Sequence, residues 1–245
     1  MKMIILAAGE GKRLRPLTND IPKCMVKYNQ KPIIEHIINS AYDCGLSNLS
    51  IVTGYKSEVL VEYLKNKNIK FFHNNNFRST NMVTTLFNAK EFMDDDLIIS
   101  YSDIVYDKHI LKELINSKNK ISLVVDLKWR ELWQRRMENP LSDAETLKIK
   151  NGLIIELGKK PKSYLEIEGQ YIGLIKISKE MIKDIILHYE NLDTNAIYDG
   201  ESFDNMYMTS FIQSLINNSF NFNPLFINGG WLEIDSINDL KLKIE

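Results

Sequence analysis

Leu6-Ala7-Ala8-Gly9-Glu10-Gly11-Lys12-Arg13-Leu14-Arg15-Pro16-Leu17-Thr18, followed by Ile21-Pro22-Lys23, decides how this chain is read. The apolar run Met3 to Leu6 ahead of it has the length of one buried strand. It opens into a loop of small residues, where backbone N–H groups can approach phosphate oxygens without Cβ clashes. The cations that follow, Arg13 and Lys23 above all, suit a triphosphate that is losing pyrophosphate. A tight βα turn with a solvated basic face would explain a bare Gly-x-Gly, but not the whole run. The stretch is neither a P-loop, which needs Gly-Lys-Ser/Thr, nor a dinucleotide fingerprint, which needs a third Gly.

Outward from this loop, short apolar runs alternate with helical patterns. Ile33, Ile34, Ile37, Ile38, Ala41 and Tyr42 form a helical stripe, with Pro32 at its start and Gly45 near its end. Strands are expected at 49–52, 69–72, 97–101 and 121–127, and helices at 57–64 (with Ser57 as N-cap), 81–90 and 108–117. The fourth apolar run leads directly into Asp103. Repeated βα units predict an α/β fold with a mostly parallel, doubly wound sheet, whose ligands sit beyond the carboxyl ends of the strands. The second half changes character. Residues 128–143 are rich in charge and Trp and fit no strong period. Asn151-Gly152 between Thr146–Lys150 and Leu153–Leu157 predicts a hairpin with a type I′ turn. A strand at 171–177, helices near 178–190 and 204–217, short strands near 225–234 and a terminal helix from Ser236 complete the expectation.

The 245 residues carry 31 Lys+Arg against 32 Asp+Glu, a net charge of −1, which offers no footprint for nucleic acid. A compact chain of this length buries roughly 70–75% of its unfolded surface. Cys24 and Cys44 cannot build a disulfide framework and read as reduced cytosolic thiols. His36, His73, His109 and His188 show no metal-ligand spacing, and no nucleophile–base pair stands out. The first apolar run is too short for a signal peptide, and nothing approaches the ~20 apolar residues of a membrane span. A soluble, cytoplasmic protein with no membrane or nucleic-acid partner is expected. No signal sets an oligomeric state. With no repeat or linker, one domain over 1–245 is the simplest organisation.

The 6–23 stretch resembles the signature of the nucleotidyltransferase family that makes nucleoside-diphosphate sugars and related activated alcohols and phosphonates. The resemblance implies a Rossmann-like, glycosyltransferase-A-like fold. Residues 1–127 would form the nucleotide-binding core, and 128–245 a small inserted acceptor-side subregion carrying the second metal ligand. The implied reaction is attack by an acceptor phosphate or phosphonate oxygen on the α-phosphorus of a nucleoside triphosphate. Arg13 matches the arginine that grips the triphosphate, and Lys23 the lysine on the transferring phosphates. Ala8, Gly9 and Gly11 match backbone contacts to the nucleotide. Asp103 and Asp235 match the carboxylates that hold Mg²⁺, which needs only one or two protein carboxylates beside substrate phosphates. Each Asp could instead cap a turn or helix, as could Ser236. Glu233 is a candidate neighbour of the metal ligand. Gly54, Tyr55, Asn81 and Ser102 are the candidates to meet base, ribose or phosphate, although Asn81 would also serve as a helix N-cap.

The acceptor side departs from the sugar-nucleotide pattern. Glu156-Leu157-Gly158-Lys159-Lys160-Pro161 resembles the family's Glu-Lys-Pro segment, with Lys160 matching the phosphate-contacting lysine and Lys159 the alternative. The extended sugar-binding segment is missing. The chain is thus similar to the compact CTP-dependent cytidylyltransferases, whose acceptors are phosphocholine, 2-aminoethylphosphonate or L-glutamine phosphate. Trp129, Trp133, Glu166, Glu168, Tyr171 and Asp204 are candidates to meet an acceptor's ammonium group. Packing of the two Trp at i, i+4 and solvation of the two Glu are the competing readings. Arg130, Arg135 and Arg136 are surface charge or partners for an acceptor carboxylate. The expected activity is therefore a Mg²⁺-dependent cytidylyltransferase joining CTP to a small zwitterionic acceptor, releasing pyrophosphate, for cell-surface polysaccharide or lipid decoration. A hexose-1-phosphate nucleotidylyltransferase and a non-catalytic nucleotide sensor are the alternatives.

Overall fold

A computed structural model describes residues 1–244. In chain order the first half contains β1 (Lys2–Ala7), β2 (Lys27–Tyr28), β3 (Lys31–Pro32), α1 (Ile33–Asp43), β4 (Leu49–Thr53), α2 (Ser57–Leu64) and β5 (Ile69–His73). Then come α3 (Met82–Phe87), β6 (Leu97–Tyr101), β7 (Ile104–Tyr106), α4 (Lys108–Asn116) and β8 (Ile121–Asp126). The second half contains α5 (Trp129–Arg136), β9 (Leu147–Lys150), β10 (Leu153–Leu157), β11 (Gln170–Ile177) and α6 (Lys179–Glu190). It ends with β12 (Ile197–Tyr198), β13 (Glu201–Ser202), α7 (Met208–Asn217), β14 (Asn223–Ile227) and β15 (Trp231–Glu233).

Seven strands form the central sheet in the order β14-β8-β11-β6-β1-β4-β5. Every pairing is parallel except those of β11, which runs antiparallel to both β6 and β8. The mostly parallel α/β expectation therefore holds. Both faces are covered, which is why β1 is apolar and buried from Met3 to Ala7. Met3, Ile5 and Ala7 pack with α1, α2, α4 and α5, while Ile4 and Leu6 pack with α3, α6 and α7. From β1 the chain runs first to β4 and β5 on one side, then crosses to β6 on the other. That reversal opens a crevice between the carboxyl ends of β1 and β6.

Local sequence accounts for most elements. Asn151 and Gly152 have φ of +53° and +76°, as a type I′ turn between β9 and β10 requires. The differences are informative. Lys56, at φ +49°, precedes α2 and no side chain caps it, so Ser57 is the first helical residue rather than the N-cap. The helix expected over 81–90 spans only Met82–Phe87, and the one expected from 204 begins at Met208. Residues 128–143 contain α5, whose Trp129, Leu132 and Trp133 form a buried i, i+3, i+4 stripe. Among the described residues the terminal helix from Ser236 is absent. A single 3₁₀ turn, Asp239–Lys241, stands there, with the Asp239 side chain accepting from the Asp235 and Ser236 N–H groups before it. Among the described residues no helix is long and apolar enough to cross a membrane.

Candidate active site

The loop after β1 is shaped by close packing. Gly11 adopts φ +62°, and a Cβ there would lie 2.9 Å from the Lys23 Cβ. Thr18 Oγ1 donates to the Gly11 carbonyl at 2.8 Å, which closes the loop over the Lys23 stem. At the end of β4, a Cβ on Gly54 would lie 2.7 Å from both the Ala8 carbonyl oxygen and the Phe77 Cβ. Only glycine lets these three segments meet. A cleft of about 450 Å³ results, bordered by Ala8 to Arg13, Lys23, Phe77, Arg78, Asn81, Ser102, Asp103 and Asp235.

A two-stranded ladder brings the carboxylates together. β15 pairs antiparallel with β7, setting Glu233 opposite Ile104, and the Ile234 N–H donates to the Asp103 carbonyl at 2.8 Å. Asp103 and Asp235 thereby converge on Lys23, whose Nζ lies 2.6 Å from Asp103 Oδ2 and 2.7 Å from Asp235 Oδ1. Arg13 Nη2 pairs with the other Asp235 oxygen. Burial works to lower the Lys23 pKa, yet Asp103, Asp235 and Glu233 outweigh it and hold the ammonium above the ordinary lysine value. Burial likewise opposes charge on Asp235, but Lys23 and Arg13 keep its pKa below the usual carboxylate range. Glu233 is raised to about 6, chiefly by burial, against the pull of Arg136.

These residues fit a divalent cation. Two carboxylate oxygens already converge on one positive centre, and the buried Asp103 Oδ1 has no hydrogen-bond partner. Among the described residues no group of three or more His, Cys, Asp and Glu forms a closed metal cage. An open pair of carboxylates is what Mg²⁺ shares with phosphates.

The other expected residues divide. Asn81 borders the cleft and also caps α3, its Oδ1 accepting from the Met82 N–H at 2.8 Å. Tyr55 lies outside the cleft lining. Its hydroxyl is 2.7 Å from the Asn19 carbonyl and 3.0 Å from that of Thr18, so it latches the signature loop from below. Beyond Met82, Tyr101 and Glu233 the cleft continues into a cavity of about 190 Å³ that includes Trp133 and Tyr171. That cavity shares Asp143, Glu145 and Tyr207 with a further pocket of about 510 Å³ holding Lys160 and Lys159.

Four acceptor candidates are not on this path. Trp129 is buried against Trp133 and Tyr164. Glu166 accepts from the Lys162 N–H and closes the 162–166 turn, while Glu168 accepts from the Ile149 N–H and braces β9. Asp204 is exposed and holds α3 through its backbone carbonyl, which accepts from Asn81 N and Thr84 Oγ1. Nor do Arg130, Arg135 and Arg136 line this path. Arg130 stacks on Tyr164, Arg135 donates to the Lys243 carbonyl, and Arg136 is buried against Glu233 and Asp239. Sequence reading missed Asp143, Glu145, Asp199 and Tyr207, which no local pattern marks. Glu145 is raised to about 7 by burial and by its neighbours Glu233 and Asp143.

The family model for nucleotidyl transferases matches residues 2–135. The chain belongs to that family. The nucleotidyltransferase is 50% identical, over the whole length of both chains, to CTP:phosphoglutamine cytidylyltransferase of Campylobacter jejuni. It is 27% identical to choline-phosphate cytidylyltransferase of Streptococcus pneumoniae, covering 82% of this chain and 93% of that one. The solved CTP:phosphocholine cytidylyltransferase from S. pneumoniae matches with a TM-score of 0.77 at 23% identity, covering 98% of this chain and 96% of the other. The inositol-1-phosphate CTP transferase from T. maritima matches at 0.74 and 19%, covering 97% and 90%. At these identities the solved structures establish the shared fold of the nucleotidyltransferase.

Proposed function

We propose that this nucleotidyltransferase joins CTP to a small zwitterionic phosphate, with L-glutamine phosphate the first candidate. The observation that carries this reading is the full-length 50% identity to CTP:phosphoglutamine cytidylyltransferase. The geometry is compatible with it. A phosphate-sized loop leads past Asp103 and Asp235 into a cavity of aromatic rings and carboxylates, which favours an ammonium group. Lys160 and Lys159 at the far pocket offer charge to an acceptor carboxylate.

In this reading the signature loop binds the triphosphate through the backbone of Ala8, Gly9 and Gly11. Arg13 and Lys23 place positive charge beside the transferring phosphates. Asp103 and Asp235 would hold Mg²⁺, whose chemistry there is to neutralise charge on the triphosphate. Ser102 and Asn81 flank the nucleoside. An oxygen of the acceptor phosphate attacks the α-phosphorus, the bond to the β-phosphate oxygen breaks, and pyrophosphate leaves. Direct displacement needs no protein nucleophile, and positioning with charge stabilisation carries the catalysis. The protein acts in the cytoplasm, supplying activated groups for cell-surface decoration.

Pyrophosphate release tests this, with each of the four NTPs paired with L-glutamine phosphate, phosphocholine, 2-aminoethylphosphonate and glucose-1-phosphate in Mg²⁺. CTP with L-glutamine phosphate is expected to be fastest. Faster turnover of glucose-1-phosphate with UTP or dTTP would replace this reading with NDP-sugar synthesis, and no release with any pair would leave a nucleotide-binding domain.

A further inference from the structure

Asp235 lies on neither a helix nor a strand. It follows β15 on a loop, so something beyond regular backbone pairing must hold its direction. Asp239, only 2% exposed, provides that hold. Its Oδ2 accepts from the Asp235 N–H at 2.9 Å, the Ser236 N–H at 2.7 Å and the Ser236 hydroxyl at 3.0 Å. Its Oδ1 accepts from Arg136 Nε at 3.2 Å. Arg136 is itself buried on α5, pairs with Glu233 at 2.6 Å and lies over the Trp133 ring. One carboxylate thus ties the Asp235 turn to α5, and the same guanidinium ties α5 to the end of β15.

We propose that Asp239, braced by Arg136, is the positioning residue that aims the Asp235 carboxylate into the cleft. This rests on the reading of Asp235 as a metal ligand. Ser236 and Asp239 bond each other as a capping pair does, but a cap needs neither the further bond to the Asp235 N–H nor a buried guanidinium behind it. A buried carboxylate with four donors has no freedom to shift, and that rigidity passes to the two backbone N–H groups it holds. Ligating carboxylates commonly depend on such outer partners, and losing one typically costs 10–100-fold in affinity or activity.

The test is a double-mutant cycle with Asp239→Asn and Asp235→Asn. The amide keeps the size of Asp239 but sets an NH₂ against either Arg136 or the Asp235–Ser236 N–H pair, so one side of the clamp fails. Turnover of Asp239→Asn is expected to fall about 10–100-fold, with KM for CTP changing by less than about threefold. With CTP present, its Mn²⁺-induced water-proton relaxation enhancement is expected to drop. The double variant is expected to be no worse than Asp235→Asn alone, because Asp239 acts through Asp235. Multiplying losses, or an unchanged Mn²⁺ signal beside a lowered Tm, would make Asp239 a purely structural residue and overturn the assignment. If Asp235→Asn alone keeps full turnover and Mg²⁺ dependence, the metal reading is what fails, and the positioning role falls with it. Should Asp239→Asn not fold, Ser236→Ala removes the 3.0 Å bond to Asp239 and the 3.4 Å bond that the Ser236 hydroxyl accepts from the Asp239 N–H, and the same non-additivity is expected on a few-fold loss.

Discussion

Lys23 shows how much one side chain does in this site. Its ammonium faces two carboxylates within 2.7 Å and a third nearby, so Lys23→Ala leaves several negative groups without their nearest cation. Pyrophosphate release by Lys23→Ala should fall about 10²–10³-fold, the usual cost of one charge-stabilising contact. Steady-state assay checks this, and near-wild-type turnover would remove Lys23 from the transition state. Glu145 yields a second prediction, through pH. Burial raises its folded pKa to about 7 from a reference of 4.5, so the native state binds the proton more tightly than the unfolded chain. Stability contributed by this group therefore falls as pH rises from about 4.5 to about 7, then stays level. Glu145→Gln should be more stable than wild type at pH 8, by up to about 3 kcal/mol, with the gain vanishing near pH 4. Urea unfolding across that range measures it, and an equal gain at both ends would deny the shift. Arg13, Lys23 and Asp103 were legible because each sits in or beside a local motif. Glu145, Asp143, Tyr207 and Asp239 were not, because their roles arise from burial and from segments distant in sequence.

At the scale of elements, strand and turn chemistry was the readable part. The β1 run, the α1 stripe and the Asn151-Gly152 turn all form as local physics dictates. A second hairpin, β12–β13, turns through Asp199 and Gly200 at φ +50° and +90°. Asp-Gly carries the same signal as Asn-Gly, and its short strands hid it. Beyond Ser236 only a 3₁₀ turn over Asp239–Lys241 forms among the described residues, although Ser236 and Asp239 bond each other as a helix-capping pair does. The antiparallel course of β11 was also hidden, since strand direction leaves no mark on a buried apolar run. The meeting of β1, β4 and the 74–81 loop makes its own prediction. Gly54→Ala would drive a methyl into the Ala8 carbonyl and the Phe77 Cβ, neither of which is a flexible side-chain end. Destabilisation of about 1–3 kcal/mol is expected, together with lower turnover, because Ala8 and Phe77 both border the cleft. A Tm and kcat equal to wild type would mean that the segments can separate freely.

For the whole molecule, the crevice between β1 and β6 couples binding to global stability. Its walls come from segments that span most of the chain, from Ala8 to Asp235, and the β7–β15 ladder carries the last of them to the first half. A ligand seated there contacts the native arrangement alone, because unfolding separates the signature loop from both carboxylates. Linkage then sets the size of the effect. CTP with Mg²⁺ at about 100 times its Kd should add about 2.7 kcal/mol, which raises Tm by roughly 5–11 °C for a chain of this size. The shift should depend on the cation and shrink when Asp103→Ala or Asp235→Ala removes one of the two carboxylates. It should also depend on the base, with GTP at equal concentration giving less than CTP. L-Glutamine phosphate added with a non-reactive CTP analogue should raise Tm further, whereas glucose-1-phosphate should not. That last comparison separates the acceptor cavity from the phosphate loop, since both ligands carry a phosphate and only one carries an ammonium for the Trp133–Glu145 side. Equal shifts from the two acceptors would mean that the loop alone recognises them and that the carboxylates of the cavity play no part in choosing the acceptor.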